Sequence, residues 1–341
     1  MTTSATTPAG AAQHLSVRDP LVSLTDVSKH FRVRTSGNPF RASGILRAVD
    51  GVSLDIARGE TFGLVGESGS GKSTLGRLAV RLSRPTSGTI DFDGRDITAV
   101  EGSALRRARR HMQVVFQDPM GSLDPKMRVG DIVGEPLRVF DGLRGSALED
   151  RVADLLRAVG LDPGRARTRP RALSGGQRQR VGIARAVALS PQLILADEAV
   201  SALDVSVQAQ IVNLLTELRD RLGLTYLFIA HGLPVVRQMA HRVGVMYLGR
   251  IVETAPVDAL FERPSHPYTR ALLGASPVPD PRARRERIVL DGDPPSPLDM
   301  PSGCRFRTRC PLAQAVCAEK APPPVLIGPG HVAECHFAGA A

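Results

Sequence analysis

Tryptophan is absent from the 341-residue sequence, and tyrosine occurs three times. Proteins that bind single-stranded nucleic acid stack bases on aromatic rings, so this composition does not favour that function. Lysine is also scarce: four of the 44 basic residues are lysine, and arginine supplies most of the net charge of +10. Arginine in place of lysine is typical of a GC-rich genome. The charge therefore indicates no specific nucleic-acid partner, and a surface that faces anionic lipid headgroups is the preferred interpretation.

Long hydrophobic runs are missing as well. No window of about 18 residues is apolar and uncharged, which predicts that the chain has no transmembrane helix. The segment MTTSATTPAGAAQH contains neither a basic nor an apolar stretch, so it does not resemble a secretory signal. Residues 1–20 are instead predicted to form a disordered tail.

Short apolar runs alternate with segments of helical spacing along most of the sequence. Residues 61–65, 193–196 and 224–230 are predicted to be buried strands, because these runs are too short for helices. Residues 205–222 have the spacing of an amphipathic helix. This alternation predicts an α/β fold with a mostly parallel sheet. Further strands are predicted at 21–33, as a pair at 47–56 and as a terminal hairpin-like pair at 243–252, and further helices at 74–82 and 181–189.

Residues 118–171 differ from their surroundings. This segment is rich in arginine, has helical spacing and is interrupted by prolines. It predicts a separate helical subdomain at about residues 119–173.

The segment GESGSGKST, residues 66–74, carries the clearest chemical signal. It fits the phosphate-binding pattern G-x-x-x-x-G-K-[ST], with Gly66, Gly71, Lys72 and Ser73 at the fixed positions. A predicted strand precedes this P-loop and a predicted helix follows it. Glycines let backbone N–H groups surround phosphate oxygens at the N-terminus of a helix. Lys72 is expected to reach the β- and γ-phosphates of a nucleotide, and the Ser73 hydroxyl to ligate Mg²⁺.

Two carboxylates end the apolar run LILADE. Asp197 is expected to hold Mg²⁺, directly or through water, and Glu198 to polarise the attacking water. Acids after a strand are usually only solvated, but beside a P-loop the functional interpretation is preferred. Gln117 ends the apolar run VVFQ and suits the sensing of Mg²⁺ or water. His231 follows another apolar run and is either structural or a contact to the γ-phosphate.

The segment LSGGQRQR, residues 173–180, has no obvious way of binding a nucleotide by itself. Its place in the chain is informative, since the signals occur in the order P-loop, Gln117, LSGGQ, Asp197 with Glu198, SALD at 201–204 and His231. This set resembles the ATP-binding cassette (ABC) ATPases over about residues 21–253. The resemblance implies a P-loop fold with a parallel sheet core, an antiparallel β subdomain and an α-helical subdomain.

The resemblance also implies how the site is completed. Two ATP molecules would lie in a head-to-tail dimer, in which Ser174 and Gly176 bind the γ-phosphate held by the opposite P-loop. Phe31 stands where the family places an aromatic ring that stacks on adenine. The expected activity is Mg²⁺-dependent ATP hydrolysis. The expected catalytic residues are Glu198, His231 and Gln117; the expected Mg²⁺ ligands are Ser73, Gln117 and Asp197; and the remaining nucleotide contacts are Ser68, Gly69, Thr74, Gln177 and Asp204.

Several segments narrow the resemblance further. STLGR, RPTSG, FQDPMGSLDPKMRV and HPYTRALL are similar to ATP-binding subunits of oligopeptide and dipeptide importers, of the second-ATPase type. We expect an ABC domain at residues 21–258 and the C-terminal extension of that importer family at 259–341. Ala199 replaces a proline of the family pattern and Gly232 replaces an aspartate. Neither change removes a group assigned to phosphate, Mg²⁺ or water.

The importer resemblance implies several partners. A sister ATPase would complete the dimer, with a homodimer as the alternative. Two integral-membrane permease subunits would form the translocation path, and an extracellular substrate-binding protein would deliver the solute. The chain would then be a peripheral protein at the cytoplasmic face of the cell membrane. Alternatives are an importer of nickel or another solute, and a DNA-repair-type ABC ATPase, which the lack of sustained heptads disfavours.

All four cysteines lie in the predicted C-terminal extension, at Cys304, Cys310, Cys317 and Cys335. Disulfides are not expected without a secretion signal, and the closely spaced Cys pairs typical of structural zinc are absent. Four clustered thiolates also suit a 4Fe–4S cluster, which some members of the importer family carry in this tail. An iron–sulfur site is the preferred prediction, and four free thiols are the alternative.

Overall fold

The computed structural model describes residues 19–33, 44–230, 232–275 and 292–339. Within these ranges the strands are β1 (Pro20–Val33), β2 (Gly44–Ala57), β3 (Thr61–Val65), β4 (Ser87–Phe92), β5 (Arg95–Asp96), β6 (Met112–Val115), β7 (Leu193–Asp197), β8 (Thr225–Ile229), β9 (Arg242–Tyr247), β10 (Arg250–Pro256), β11 (Pro324–Gly328) and β12 (His331–Glu334). The helices are α1 (Lys72–Ala79), α2 (Gly102–Arg110), α3 (Val129–Pro136), α4 (Gly145–Ala158), α5 (Gly175–Val187), α6 (Val205–Leu222), α7 (Leu233–Met239), α8 (Val257–Glu262), α9 (Pro267–Ala275) and α10 (Ala315–Glu319).

Two sheets organise these elements. The larger sheet has the order β11-β12-β10-β9-β3-β8-β7-β6, and its strands from β9 to β6 run parallel to one another. Strands β10, β12 and β11 continue it in antiparallel pairs. The smaller sheet, of order β2-β1-β4-β5, is antiparallel. The predicted α/β fold with a parallel core and an antiparallel β part is confirmed.

The central parallel strands are buried on both faces. Every residue of β3, β7 and β8 is buried, which explains why these strands read as continuous apolar runs. Successive side chains point to opposite faces of the sheet. Leu195 therefore shares a core with Leu75 of α1, whereas Ile194 shares the other core with Leu215 of α6. Helices on both faces thus fix the strands whose carboxyl ends carry the P-loop and the two acids.

Helices α3, α4 and α5 lie between β6 and β7 in the chain. Their apolar side chains belong to one hydrophobic core that includes Ile132, Leu156 and Val181. A π-helical turn at Leu137–Asp141 follows α3 directly, and short 3₁₀ turns occur at Pro163–Arg167 and Pro170–Ala172. The subdomain and domain bounds given above stay predictions.

Three elements differ from the sequence-based prediction. The strand pair predicted at residues 47–56 is one strand, β2, which pairs with β1 through several register shifts; such bulges let a long strand bend and stay paired. The helix predicted at residues 181–189 begins at Gly175, because Ser174 caps it. The hairpin-like pair at residues 243–252 does not end the sheet, since β12 adds to β10.

In the part of the chain that the structure describes, no helix has both the length and the hydropathy needed to cross a membrane.

Candidate nucleotide-binding site

The candidate site lies at the carboxyl edge of the parallel strands. The P-loop follows β3, Asp197 ends β7, and Gln117 follows β6 after one residue. Val115 of β6 pairs in parallel with Ala196 of β7, so the segments that carry Gln117 and Asp197 leave the sheet side by side. This edge is where parallel α/β sheets bind their ligands.

Glycines of the P-loop have backbone conformations that other residues seldom adopt. The φ angle is 150° at Gly66, 78° at Gly69 and 106° at Gly71. A Cβ atom at Gly71 would lie 2.1 Å from the carbonyl oxygen of Ala48, and one at Gly66 would lie 2.1 Å from that of Met246. The loop therefore requires glycine at both fixed positions for conformational and steric reasons.

Lys72 is the first residue of α1 and is 4% exposed. Its ammonium group donates hydrogen bonds of 2.8 Å to the carbonyl oxygens of Gly66 and Glu67. Burial lowers the pKa of Lys72 below its ordinary value, although Glu198 and Asp197 oppose the shift. The loop thus holds a buried cation at its centre, which is the charge needed for phosphate oxygens.

Ser73 joins the P-loop to the neighbouring strand. Its hydroxyl donates a 2.8 Å hydrogen bond to Oδ1 of Asp197. Burial raises the pKa of Asp197, and the bond from Ser73 and the nearby Arg77 guanidinium oppose the rise. The Nε atom of Arg77 lies 3.9 Å from the second carboxylate oxygen. A hydroxyl and a carboxylate placed together are oxygen donors of the kind Mg²⁺ prefers, so the residues present fit this ion.

Glu198 has a left-handed backbone, with φ of 51°. Such a conformation is uncommon for a residue with a side chain, and it persists only where the surroundings hold it. The Glu198 N–H donates to the carbonyl of Ile229 at 3.0 Å, and the Glu198 carbonyl accepts from Ser201 N–H at 3.1 Å and from the Ser201 hydroxyl at 3.0 Å. The neighbouring strand and the SALD segment therefore hold this acid directly after β7.

The LSGGQ segment forms the start of α5. Ser174 is the N-cap: its hydroxyl accepts from Gln177 N–H at 3.3 Å, and the Gln177 side chain accepts from Ser174 N–H at 3.1 Å. Ser174 is exposed, and a Cβ atom at Gly176 would lie 2.6 Å from Val207 Cγ1 of α6. The helix N-terminus is therefore stable by itself and still open to a partner.

The other predicted residues occupy peripheral places. Gln117 is exposed on the loop after β6, and Asp204 is exposed at the N-cap of α6. Phe31 is 39% exposed, and Nζ of Lys29 lies 5.2 Å from its ring centroid. In the P-loop, Ser68 and Gly69 are exposed and Thr74 is partly buried. His231 lies outside the described residues.

Sequence profiles and curated relatives identify the family. The profile described as "ABC transporter" matches residues 49–201, and the profile "Oligopeptide/dipeptide transporter, C-terminal region" matches residues 252–317. The chain is 50% identical over 319 residues to "Probable peptide ABC transporter ATP-binding protein y4tS" of Sinorhizobium fredii, which covers 93% of this chain and 90% of the relative. It is 48% identical over 323 residues to "Oligopeptide transport ATP-binding protein AppF" of Bacillus subtilis, which covers 94% of this chain and 98% of the relative.

The chain belongs to the ABC transporter family. It is therefore an ATPase of the ATP-binding cassette type. The dimeric ATP-binding cassette MJ0796, solved in a post-hydrolysis state with ADP and Pi, is similar in fold: the TM-score is 0.61 at 30% identity, over 69% of this chain and 98% of that one. The cbiO1 protein of Clostridium perfringens gives a TM-score of 0.62 at 26% identity, over 72% and 92% of the two chains.

The sequence does not predict a role at the site for three residues of this ABC ATPase: Glu67, Tyr268 and Arg309. Glu67 occupies a variable position of the P-loop pattern. Its N–H donates to the hydroxyl of Tyr268 at 2.8 Å, and its carboxylate accepts two hydrogen bonds from Arg309, at 2.9 and 3.2 Å. Tyr268 lies within the HPYTRALL segment, and Arg309 precedes Cys310. Both segments stood out in the sequence, but nothing local linked them to the P-loop.

The cysteines of the ABC ATPase are close enough to influence one another. The Cys304 N–H donates to the carbonyl of Cys317 at 2.7 Å. The pKa of Cys304 is raised to about 11, chiefly by burial and also by Cys317, Cys335 and Cys310, while a hydrogen bond with the Phe306 backbone opposes the rise. Among the described residues, no cysteine, histidine and carboxylate side chains form a group able to hold a metal ion. In this arrangement the thiols do not form a ligand set, and the 4Fe–4S cluster stays a prediction.

Proposed function

We propose that this chain is the ATP-hydrolysing subunit of an importer for peptides. The observation that carries the ATP-hydrolysing part of the proposal is the hydrogen bond between Ser73 and Asp197 beside buried Lys72, which brings together the three groups that a phosphate–Mg²⁺ pair requires. The named relatives are peptide and oligopeptide transport ATP-binding proteins. The match of the oligopeptide/dipeptide transporter profile to residues 252–317 supports the same solute class.

The P-loop would bind the phosphates of ATP. Backbone N–H groups of the loop and the Lys72 ammonium would face the phosphate oxygens, so Lys72 would exchange its bonds to Gly66 and Glu67 for bonds to the nucleotide. Ser73, Asp197 and Gln117 would hold Mg²⁺, which when bound neutralises charge on the β- and γ-phosphates. The further nucleotide contacts that we propose are Phe31 for adenine, and Ser68, Gly69, Gly71 and Thr74 for phosphate.

Glu198 would act as the general base. A carboxylate directly after β7 can accept a proton from the water that attacks the γ-phosphate, because it follows the Asp197 that is proposed to hold Mg²⁺. His231 would contact the γ-phosphate. The start of α5, with exposed Ser174 and partly buried Gly176 and Gln177, would complete the ATP site of a second subunit. Asp204 of the SALD segment would contact the nucleotide there as well.

The substitution Glu198→Gln tests the proposed base. It keeps the size of the side chain but removes the basic oxygen, so ATP turnover should fall by about 10²-fold or more while ATP binding is retained. Turnover is measured by phosphate release, and binding by titration with a fluorescent ATP analogue. The matched control is Glu262→Gln at an exposed acid of α8. Wild-type turnover in the Glu198→Gln variant would rule out this assignment.

The partners follow from the importer assignment. We infer a sister ATPase, as a heterodimer or homodimer, two integral-membrane permease subunits and an extracellular substrate-binding protein. The chain would then lie at the cytoplasmic face of the cell membrane. Purification of the tagged full-length chain from detergent-solubilised membranes tests this: two integral-membrane proteins should co-purify, whereas ribosomes or DNA in their place would contradict the inference.

The predicted 4Fe–4S cluster is tested independently of transport. Anaerobically purified protein is examined by visible absorption and analysed for iron, sulfide and zinc. About four irons and four sulfides per chain would support the cluster. Colourless protein without iron would rule out the cluster, and if zinc is absent as well, Cys304, Cys310, Cys317 and Cys335 are free thiols.

A further inference from the structure

We propose that the C-terminal extension positions the P-loop for nucleotide, with Tyr268 and Arg309 acting through Glu67. This inference rests on the proposed ATPase function and adds residues that position the same nucleotide site. Both residues come from segments beyond β10, and both contact the P-loop residue that follows Gly66.

Every polar group of Glu67 has a partner. The backbone N–H donates to Tyr268 at 2.8 Å, the backbone carbonyl accepts from Lys72 at 2.8 Å, and the carboxylate accepts two bonds from Arg309. Two of these partners belong to the extension. When Lys72 turns to phosphate, Glu67 keeps the bonds from Tyr268 and Arg309, together with the 3.2 Å bond from Ser70 N–H to its backbone carbonyl.

Tyr268 and the side chain of Arg309 are themselves buried. Tyr268 is 0% exposed, and its ring centroid lies 4.6 Å from that of Tyr247 and 5.4 Å from that of Phe306. The side chain of Arg309 is 7% exposed, and its two parallel bonds to Glu67 fix direction as well as distance. Phe306 joins the cysteine-containing segment to this aromatic cluster.

A second contact supports the other side of the loop. The N–H of Gly249, in the turn between β9 and β10, donates to the carbonyl of Ser70 at 2.8 Å. Arg305 of the extension hydrogen-bonds the carbonyl of Leu248 in the same turn and the carboxylate of Asp50. The extension therefore reaches the P-loop both directly at Glu67 and through this turn.

If the contacts from Tyr268 and Arg309 are removed, the P-loop can adopt other conformations and should bind MgATP less tightly. If only a fraction of molecules has the phosphate-binding conformation, the apparent dissociation constant rises by the inverse of that fraction. Tyr268 and Arg309 do not contact the reacting atoms in this scheme. Their loss should therefore raise the KM and Kd for MgATP and leave kcat at saturating ATP close to the wild-type value.

The test uses the full-length chain with Arg309→Ala, Arg309→Lys and Tyr268→Phe. Titration with a fluorescent ATP analogue and Mg²⁺ gives Kd, and phosphate release gives KM and kcat. We expect Kd and KM to rise about tenfold in Arg309→Ala and a few-fold in Tyr268→Phe. Arg309→Lys should recover part of the loss, since lysine keeps the charge without the paired bonds.

Arg307→Ala is the matched control. Arg307 lies in the same segment but hydrogen-bonds Ser302 within the extension, so this variant should bind MgATP like the wild type. Melting temperatures are measured for all variants, and if Arg309→Ala does not fold, the result is taken from Arg309→Lys and Tyr268→Phe. Wild-type Kd and KM in folded Tyr268→Phe and Arg309 variants would overturn the inference. A wild-type chain that neither binds nor hydrolyses ATP would instead refute the proposed function.

Discussion

Replacing Glu253 by glutamine tests how firmly the last residues of the chain are joined to the large sheet. Glu253 lies in β10 and is 1% exposed. Its carboxylate accepts hydrogen bonds from Ser265 N–H at 2.7 Å, from His266 N–H at 3.0 Å and from the His331 ring at 2.7 Å. One buried carboxylate of β10 is thus hydrogen-bonded both to the segment before α9 and to β12.

The expected cost follows from these bonds. A glutamine keeps one accepting oxygen but turns an N–H₂ group toward donors, so at least one buried donor loses its partner. Hydrogen bonds to a charged group contribute about 1.5–3 kcal/mol each. We expect Glu253→Gln to lower the free energy of unfolding by about 3 kcal/mol, measured by urea denaturation. Glu262→Gln, at an exposed acid, is the control and should change it by less than about 0.5 kcal/mol.

The pH dependence provides a second check. Burial raises the pKa of Glu253, but the bonds from His331, Ser265 and His266 oppose this, and the pKa lies below its ordinary value of 4.5. A carboxyl whose folded-state pKa is lowered stabilises the protein fully above the unfolded-state value. The difference between wild type and Glu253→Gln should therefore be constant near neutral pH and shrink below about pH 4.5. A variant within about 1 kcal/mol of wild type at pH 7 would refute the reasoning.

Two further predictions concern the P-loop and the cysteines. Gly71→Ala should abolish detectable ATP binding, because φ is 106° and the added carbon would lie 2.1 Å from the Ala48 carbonyl oxygen. The control is Gly59→Ala, where φ is 72° and the surrounding space is open, and this variant should bind ATP normally. Normal ATP binding by Gly71→Ala would contradict the steric reason. Because the pKa of Cys304 is raised to about 11, its alkylation by iodoacetamide at pH 8 should be about two orders of magnitude slower than in urea-unfolded protein. Mass spectrometry should show the folded-state rate rising about tenfold per pH unit, and a rate independent of pH would contradict the raised pKa.

Local patterns predicted the parts of the site that lie within one short segment. The glycine spacing around Lys72 predicts a P-loop because each of these glycines has a backbone conformation that residues with a side chain seldom adopt. The helical spacing predicts a helix from residue 181, whereas α5 begins at Gly175. The pattern S-x-x-Q from Ser174 to Gln177 is a capping box and would have placed the helix start correctly.

Contacts between distant segments could not be predicted in this way. Tyr268 lies 201 residues from its partner Glu67, and Arg309 lies 242 residues from it. Neither residue type nor spacing encodes such a pair, since it depends on how the sheet places β9 between β3 and β10 and so brings the extension to the P-loop. The contact between Glu253 and His331 could not be predicted either. It exists because β12 pairs with β10, and nothing in the sequence near either residue indicates that pairing.

The strand order of the large sheet has a consequence for how the protein folds. Strand β3 is synthesised early, but both of its neighbours, β8 and β9, come much later in the chain. The N–H of Thr61, at the start of β3, bonds the ring of His241, which lies 180 residues further on. A nascent chain therefore carries the P-loop sequence long before it can have a P-loop structure, and the contacts from Tyr268 and Arg309 follow last. ATP can assist folding only at the end of synthesis, after the smaller sheet has had time to form from its nearby strands.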